Sequence, residues 1–455
     1  MNPADLDILE SGRRLRDGSL SALELTRAHL DRIADRDPTY HAFITVTEDR
    51  ALQDAERADR ELAEGQDRGP LHGIPIGLKD LIDTAGIRTT AGSRLFEHHV
   101  PATDAAVAAR LRQAGSVLLG KLMTYEFALV GPSFDLPFPA SRNPWSPDHI
   151  TGGSSSGSAA AVAGGLLRTA IGTDTGGSIR SPACYCGVVG LKPTYERVSR
   201  DGVFPLSPSL DHVGPLSASV AEAAITLDAI SAAGAASRLG EPLDGKRIAY
   251  ARAWFATDPE TDPAVIAALD DAASLLSLRG ARIEEVHLPD YALFESAGAL
   301  ILQAEALDVH AGTLASHPDR YGRLARQNLL TGLALADADI PAARAAAEEL
   351  SRRLQAILAG FDALLTANTL TPALPFAAFD GVNSVWTHMR TFPFNVARNP
   401  VLALPAGFND GLPLGLQLVG KLGDEAGICA IGAALEAAAD HSLRRPPPLR
   451  RDRAG

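Results

Sequence analysis

Apolar residues recur at helical spacing through residues 21–34 and 48–64, each with Ser or Thr near its start, so the stretch 4–65 reads as helices. The period then shortens. Residues 71–80 (LHGIPIGLKD) form a short apolar run punctuated by Gly and Pro, which predicts a strand. A helix follows over 105–114, then a buried strand over 116–120 and a loop rich in Gly, Pro and Ser over 131–157. Residues 158–167 read as a small-residue helix, and 169–173 and 188–191 as strands. The alternation resumes with strands at 247–251 and 282–286 around a helix at 263–278. Residues 295–358 are alanine-rich and almost wholly helical in pattern, and strands at 361–366, 401–405 and 414–419 precede a closing helix at 426–439. Strands alternating with helices predict an α/β fold whose sheet is covered on both faces. With neither repeats nor a clear linker, residues 1–455 are expected to form a single domain, ending in a disordered basic, proline-rich tail over about 444–455.

Charge narrows the partners. The chain carries 42 Lys and Arg against 55 Asp and Glu, a net charge of −13, which disfavours a broad nucleic-acid footprint. The three cysteines, Cys184, Cys186 and Cys429, make neither a disulfide framework nor a zinc spacing. Twelve scattered histidines include no H-E-x-x-H, so no metal or cofactor is expected. The acidic start MNPADLDILE lacks a signal pattern, and the apolar run over 159–167 is cut by Arg168, so neither export nor a membrane span is expected and the cytoplasm is the default location. Only five residues are lysine (Lys79, Lys121, Lys192, Lys246 and Lys421), arginine supplying the other 37 basic residues. A chain that uses arginine for surface charge retains lysine where a compact, deprotonatable amine is useful.

Candidate chemistry sits in three segments. TGGSSSGSAA (151–160) admits a phosphate loop, but Ser158 stands where the loop's lysine would be. It also admits a nucleophile elbow centred on Ser155, without a clear strand before it, or a plain turn. GTDTGGSIR (172–180) follows a predicted strand, and its glycines allow backbone N–H groups to converge on one point beside Ser178; a tight turn with a capping serine is the alternative. Lys79 lies in the apolar run IPIGLKDLI, where burial would lower its pKa and free a neutral amine as a base. No histidine lies within either serine cluster, so serine with lysine is a sensible nucleophile and base.

With these segments set side by side, the chain resembles the amidase signature family. The matching text is GIPIGLKD around Lys79, NPW at 143–145, TGGSSSGSAAAVAGG, GTDTGGSIRSPACYCGVVGLKPT, and the late DALLTANTLTPALP and GLPLGLQLVG. It spans about residues 20–440, with Lys79, Ser154 and Ser178 separated by 75 and 24 residues. The resemblance implies a large twisted mixed sheet sandwiched between helices, with a signature core over about 70–215 and a variable helical region over about 290–360. It implies a Ser–Ser–Lys triad in which Ser178 is the nucleophile, Ser154 the bridging serine after a cis peptide from Gly153, and Lys79 the base. The backbone N–H groups of Thr175, Gly176, Gly177 and Ser178 would form the oxyanion hole, the Ala128 backbone would lie near the substrate, and Ser155, Asp174 and Arg180 would support the triad.

The activity implied is hydrolysis of a carboxamide C–N bond, with a small-molecule amide as the expected partner, no nucleic acid, and a homodimer left open. Tyr125, Phe127, Phe134, Phe138 and Trp145 read either as core or as pocket wall. The family also includes the glutaminase subunit of tRNA-dependent amidotransferases. That subunit holds the glutamine ammonium with an acidic residue where this chain has His388, and its carboxylate with an arginine where this chain has Ala347. A non-catalytic binding protein on the same fold is a third alternative.

Overall fold

The computed structural model of the chain describes residues 2–439 and 441–449. Helix α1 (Ile8–Asp17) is capped by Asp7, and α2 (Ala22–Tyr40) by a reciprocal Ser21 and Glu24 box. A short strand, β1 (Phe43–Val46), separates α2 from α3 (Glu48–Ala63). The central unit follows as β2 (Pro75–Lys79), α4 (Ala106–Gln113), β3 (Val117–Leu122), a hairpin of β4 (Arg142–Asn143) and β5 (Ser146–Ile150), α5 (Ser156–Ala163) and β6 (Thr169–Asp174). It closes with α6 (Arg180–Cys186), β7 (Val189–Lys192), β8 (His212–Ser217) and α7 (Val220–Ile230). The remainder comprises β9 (Arg247–Tyr250), α8 (Ala253–Ala256), α9 (Pro263–Leu278), β10 (Arg282–Glu285), α10 (Tyr291–Ser316), α11 (Arg323–Thr331) and α12 (Asp339–Leu358). Last come β11 (Ala363–Ala367), α13 (Pro393–Val396), β12 (Val401–Asn409), β13 (Leu412–Val419) and α14 (Glu425–Ala438).

Eleven strands form one mixed sheet in the order β1-β3-β2-β6-β8-β7-β12-β13-β11-β9-β10. β2 runs parallel to both β3 and β6, and β9 parallel to both β10 and β11, while the strands between pair antiparallel. Side chains alternate between two cores. Ile248, Leu365, Leu402 and Leu418 enter the larger core, whereas Ala249, Leu364, Val401 and Val419 enter a second core shared with α10, α11 and α12. The sheet is thus covered on both faces, as the alternation of elements predicts.

Three differences matter. The stretch 131–157, expected to be loop, contains the β4/β5 hairpin. The seven-residue α6 and the strand β8 were not foreseen, and both border the candidate site. Of the tail, residues 444–449 line a groove beside the ends of α2 and α5, with Leu449 packed against the larger core, and residues 450–455 lie outside the described residues.

Candidate active site

β2 delivers Lys79 at its last position, between β3 and β6, where Leu78 pairs with Lys121 on one side and Ile171 on the other. The Lys79 side chain is fully buried. Its Nζ donates to Ser154 Oγ at 2.8 Å and to Thr173 Oγ1 at 2.7 Å, and among the described residues no carboxylate lies within ion-pair reach. Burial lowers the amine to about 7, against the more distant pull of Asp174 and Asp211.

Ser154 follows a cis Gly153–Ser154 peptide and is itself buried. Its carbonyl accepts from Tyr125 N at 3.1 Å. Glycine is required at 153, because a Cβ there would fall 2.1 Å from the Tyr125 ring. Ser155 stitches the two serine segments together. Its hydroxyl donates to Thr173 O at 3.1 Å and accepts from Thr173 N at 3.2 Å, while its amide donates to Ser178 O at 3.2 Å.

Ser178 is half-buried on the turn between β6 and α6. Among the described residues its hydroxyl makes no hydrogen bond, so the link from Ser154 to Ser178 is not made in this structure. In unliganded sites such bonds are commonly long and tighten with substrate. The turn is held by Asp174 and Arg180, both fully buried. Arg180 donates to both Asp174 oxygens at 2.9 Å and also to Thr391 O and Gln417 Oε1. Burial opposes ionisation of Asp174, but the Arg180 guanidinium and the Asn395 amide more than offset this, and its carboxyl lies well below the usual carboxylate range.

One expectation needs correction at this turn. The Gly177 N–H, foreseen as an oxyanion donor, donates instead to Asp174 Oδ1 at 2.9 Å. Thr175, Gly176 and Ser178 keep amides without an acceptor among the described residues. The glycine pattern gave no sign that the nearby Asp174 carboxylate would compete for one of these donors. Thr175 Oγ1 donates to Asp211 at 2.6 Å. Ala128, at a φ of 60°, joins Thr173 and Thr175 in the wall of a cavity of about 350 Å³. Thr173 itself was missed: it lies inside a recognised segment, but only the pairing of β2 with β6 brings it to Lys79. Among the described residues no cluster of three or more His, Cys, Asp or Glu could hold a metal ion, and no helix is long and apolar enough to cross a membrane.

The model of the Amidase family matches residues 24–429. The chain belongs to the amidase signature family. The A-type subunit of glutamyl-tRNA(Gln) amidotransferase from Synechococcus sp. (strain WH7803) is 37% identical over 96% of this chain and 98% of that protein. The solved peptide amidase of Stenotrophomonas maltophilia is 34% identical, covers 98% of each chain and superposes with a TM-score of 0.82. A solved chain from a vestigial protein complex, tied by its description to the origins of an s-triazine catabolic enzyme, is 31% identical over 95% of this chain and 99% of its own, with a TM-score of 0.89.

The family relatives overturn the expected partners, a small-molecule amide without nucleic acid, alone or as a homodimer. The Synechococcus relative is by name one component of an amidotransferase that acts on a glutamyl-tRNA. The net charge of one chain carries no information on what the other components of an assembly bind, so the acidic balance could not exclude such partners.

Of the five aromatic residues singled out in the sequence, Tyr125 borders the site and the others lie away from it. Phe127 packs in the core against Phe96, Phe204 and His310, and Tyr125 against Gly131 and Gly153. Trp145 donates to Cys186 O at 2.8 Å and packs at a tilt against Phe408, Phe138 lines a separate small pocket, and Phe134 is exposed. His388 is half-exposed with its Nε2 3.7 Å from Glu260, and Ala347 is buried on α12 against the second core.

Proposed function

We propose that this chain hydrolyses a carboxamide C–N bond through an acyl-enzyme on Ser178. The observation that carries this is the solvent-shielded amine of Lys79, 2.8 Å from Ser154 Oγ and free of carboxylate contacts. Near neutral pH a large share of such an amine is uncharged and accepts a proton. Lys79 takes the proton of Ser154, Ser154 takes that of Ser178, and Ser178 Oγ attacks the amide carbon. The free amides of Thr175, Gly176 and Ser178 receive the charge that develops on oxygen, an effect worth roughly 3–4 kcal/mol per donor. Reversal of the relay protonates the departing nitrogen. Water then enters by the same route, giving up its proton through Ser154 to Lys79 as it cleaves the ester.

Of the two settings for this chemistry, the relatives favour the amide-hydrolysing subunit of a tRNA-dependent amidotransferase, with glutamine as the amide and its ammonia passed to a partner subunit. With that role goes a cytoplasmic location; among the described residues no helix is long and apolar enough to cross a membrane. The uninterrupted sheet from β1 to β10 supports treating it as a single domain with the signature core at 70–215 and the helical region at 290–360. A second reading, an amidase for another carboxamide, is favoured by His388 and Ala347, which offer neither an acid nor an arginine to a glutamine backbone. Ammonia release from glutamine, with and without the remaining subunits, tests the first reading. Release confined to other amides selects the second, and retention of either activity in Ser178→Ala defeats both.

A further inference from the structure

Glu126 is 1% exposed yet faces no cation at ion-pair distance among the described residues. Its Oε1 accepts from Ser93 Oγ at 2.6 Å, and its Oε2 from the backbone N of Gly322, the N-cap of α11, at 2.9 Å. These partners belong to different parts of the molecule. Ser93 lies on the loop after β2, close behind Lys79, and Gly322 in the helical region 291–358. The residues that follow Glu126, Phe127 and Ala128, have φ of 52° and 60°, a left-handed conformation that non-glycine residues adopt at a cost. Something must therefore hold them there. The Phe127 amide donates to Ala91 O at 2.9 Å, and its ring meets His310 at 4.5 Å, while His310 Nδ1 bonds to Tyr321 Oη at 3.0 Å. Every one of these tethers runs to the Ser93 loop or to the α10–α11 corner, the two bodies that the Glu126 carboxylate joins.

The contact is built to close tolerance. A Cβ at Gly322 would sit 2.7 Å from Glu126 Oε2, so a larger residue there would displace the carboxylate from its present position. Burial pushes the Glu126 carboxyl up to about 7 even though Ser93 and Gly322 favour the ion. Asp135 adds to that push and Arg94 opposes it. A core carboxyl with no cation at ion-pair distance is a cost that packing alone does not explain.

We infer that Glu126 is a positioning residue, whose carboxylate clamps the Ser93 loop to the N-terminus of α11 and thereby holds Phe127 in the core and Ala128 in the wall of the cavity beside Thr173 and Thr175. The helical region is by this means coupled to the fit of the substrate. The inference rests on amide hydrolysis at Ser178 for its kinetic test but not for its structural one. In Glu126→Ala, kcat/KM is expected to fall about tenfold or more, mainly through KM, as a displaced wall misplaces the amide, while a fluorophosphonate still labels Ser178. Glu126→Gln is expected to stay near wild type, because its amide oxygen accepts from Gly322 and its NH2 donates to Ser93. Gly322→Ala, which retains the Glu126 side chain but displaces it, should reproduce the loss. Hydrogen exchange of the unmodified chain and the variants gives the activity-free readout. Amides of residues 127–129 and 322–326 should exchange faster in Glu126→Ala and Gly322→Ala and unchanged in Glu126→Gln. Exchange identical to wild type in both disrupting variants, or a Glu126→Gln variant as impaired as Glu126→Ala, would overturn the inference. Loss of labelling in the wild type would count against Ser178 and leave the exchange result to decide on Glu126.

Discussion

Lys79 and Lys121 stand on neighbouring parallel strands, and Lys192 on a third strand of the same sheet; all three are fully buried, and burial lowers the pKa of each. Their partners differ. Lys121 donates to Ile82 O and Thr89 Oγ1, each at 2.6 Å, and lies 3.3 Å from Asp80. Lys192 donates to Pro193 O and Asn399 O. Lys79 meets two hydroxyls only. A carbonyl can only accept, so it fixes an amine as a donor. A hydroxyl can reverse its role and hand a proton back. Partner chemistry therefore singles out the proposed base, where a lowered pKa shared by all three does not.

The sharpest way to break this contrast is to remove each lysine in turn. Lys79→Met should lower kcat by about 10³-fold or more with the fold retained, as should Ser178→Ala, measured by ammonia or amine release. Lys121→Met should act on stability instead. It strands the buried Asp80 carboxylate and should cost about 3–5 kcal/mol in urea unfolding, with kcat per folded molecule near wild type. A catalytic defect in Lys121→Met equal to that of Lys79→Met would erase the distinction.

Acidity offers a third test. Because the relay needs an uncharged amine, kcat/KM should rise as pH climbs through about 7, roughly tenfold per unit below that value. Stability has its own sign. Between about 7 and the ordinary lysine value of 10.5 the unfolded chain holds a proton that the folded chain has released, so stability rises with pH across that window. Lys79→Met should flatten that rise in unfolding midpoints taken from pH 7 to 9. The smallest effect is expected from Thr173→Val, which removes one of the two hydroxyls and should lower kcat about tenfold, in line with roughly 1.5 kcal/mol for a hydrogen bond to a charged group.

Lys79, Ser154 and Ser178 were legible because each lies in an unusual local string: an apolar run that ends on lysine, and two dense glycine and serine clusters. Long strands and helices were legible from periodicity, and α9 coincides with its predicted span. What was hidden depends on contacts distant in sequence. β8 (HVGPLS) carries Gly214 and Pro215 and does not read as a central strand, yet it pairs with β7 only at Leu216 and Ser217, so the proline falls just beyond that ladder. β1 is four partly exposed residues, and α6 is buried all round and shows no amphipathic stripe. Thr173, Asp174 and Arg180 were in plain view, but their partners (Lys79 for Thr173, Asn395 for Asp174, Thr391 and Gln417 for Arg180) are chosen by sheet order and by the late segments of the chain.

Arg180 is the meeting point of that long-range wiring. Its guanidinium joins the Ser178 turn to Thr391 and to Gln417 on β13, a central strand made 237 residues later. A chain emerging from the ribosome displays all three reactive side chains well before it possesses the clasp that aligns them. Under the proposed mechanism, hydrolytic competence arrives with the final strands of synthesis, and a chain that ends before β13 is expected to be inert.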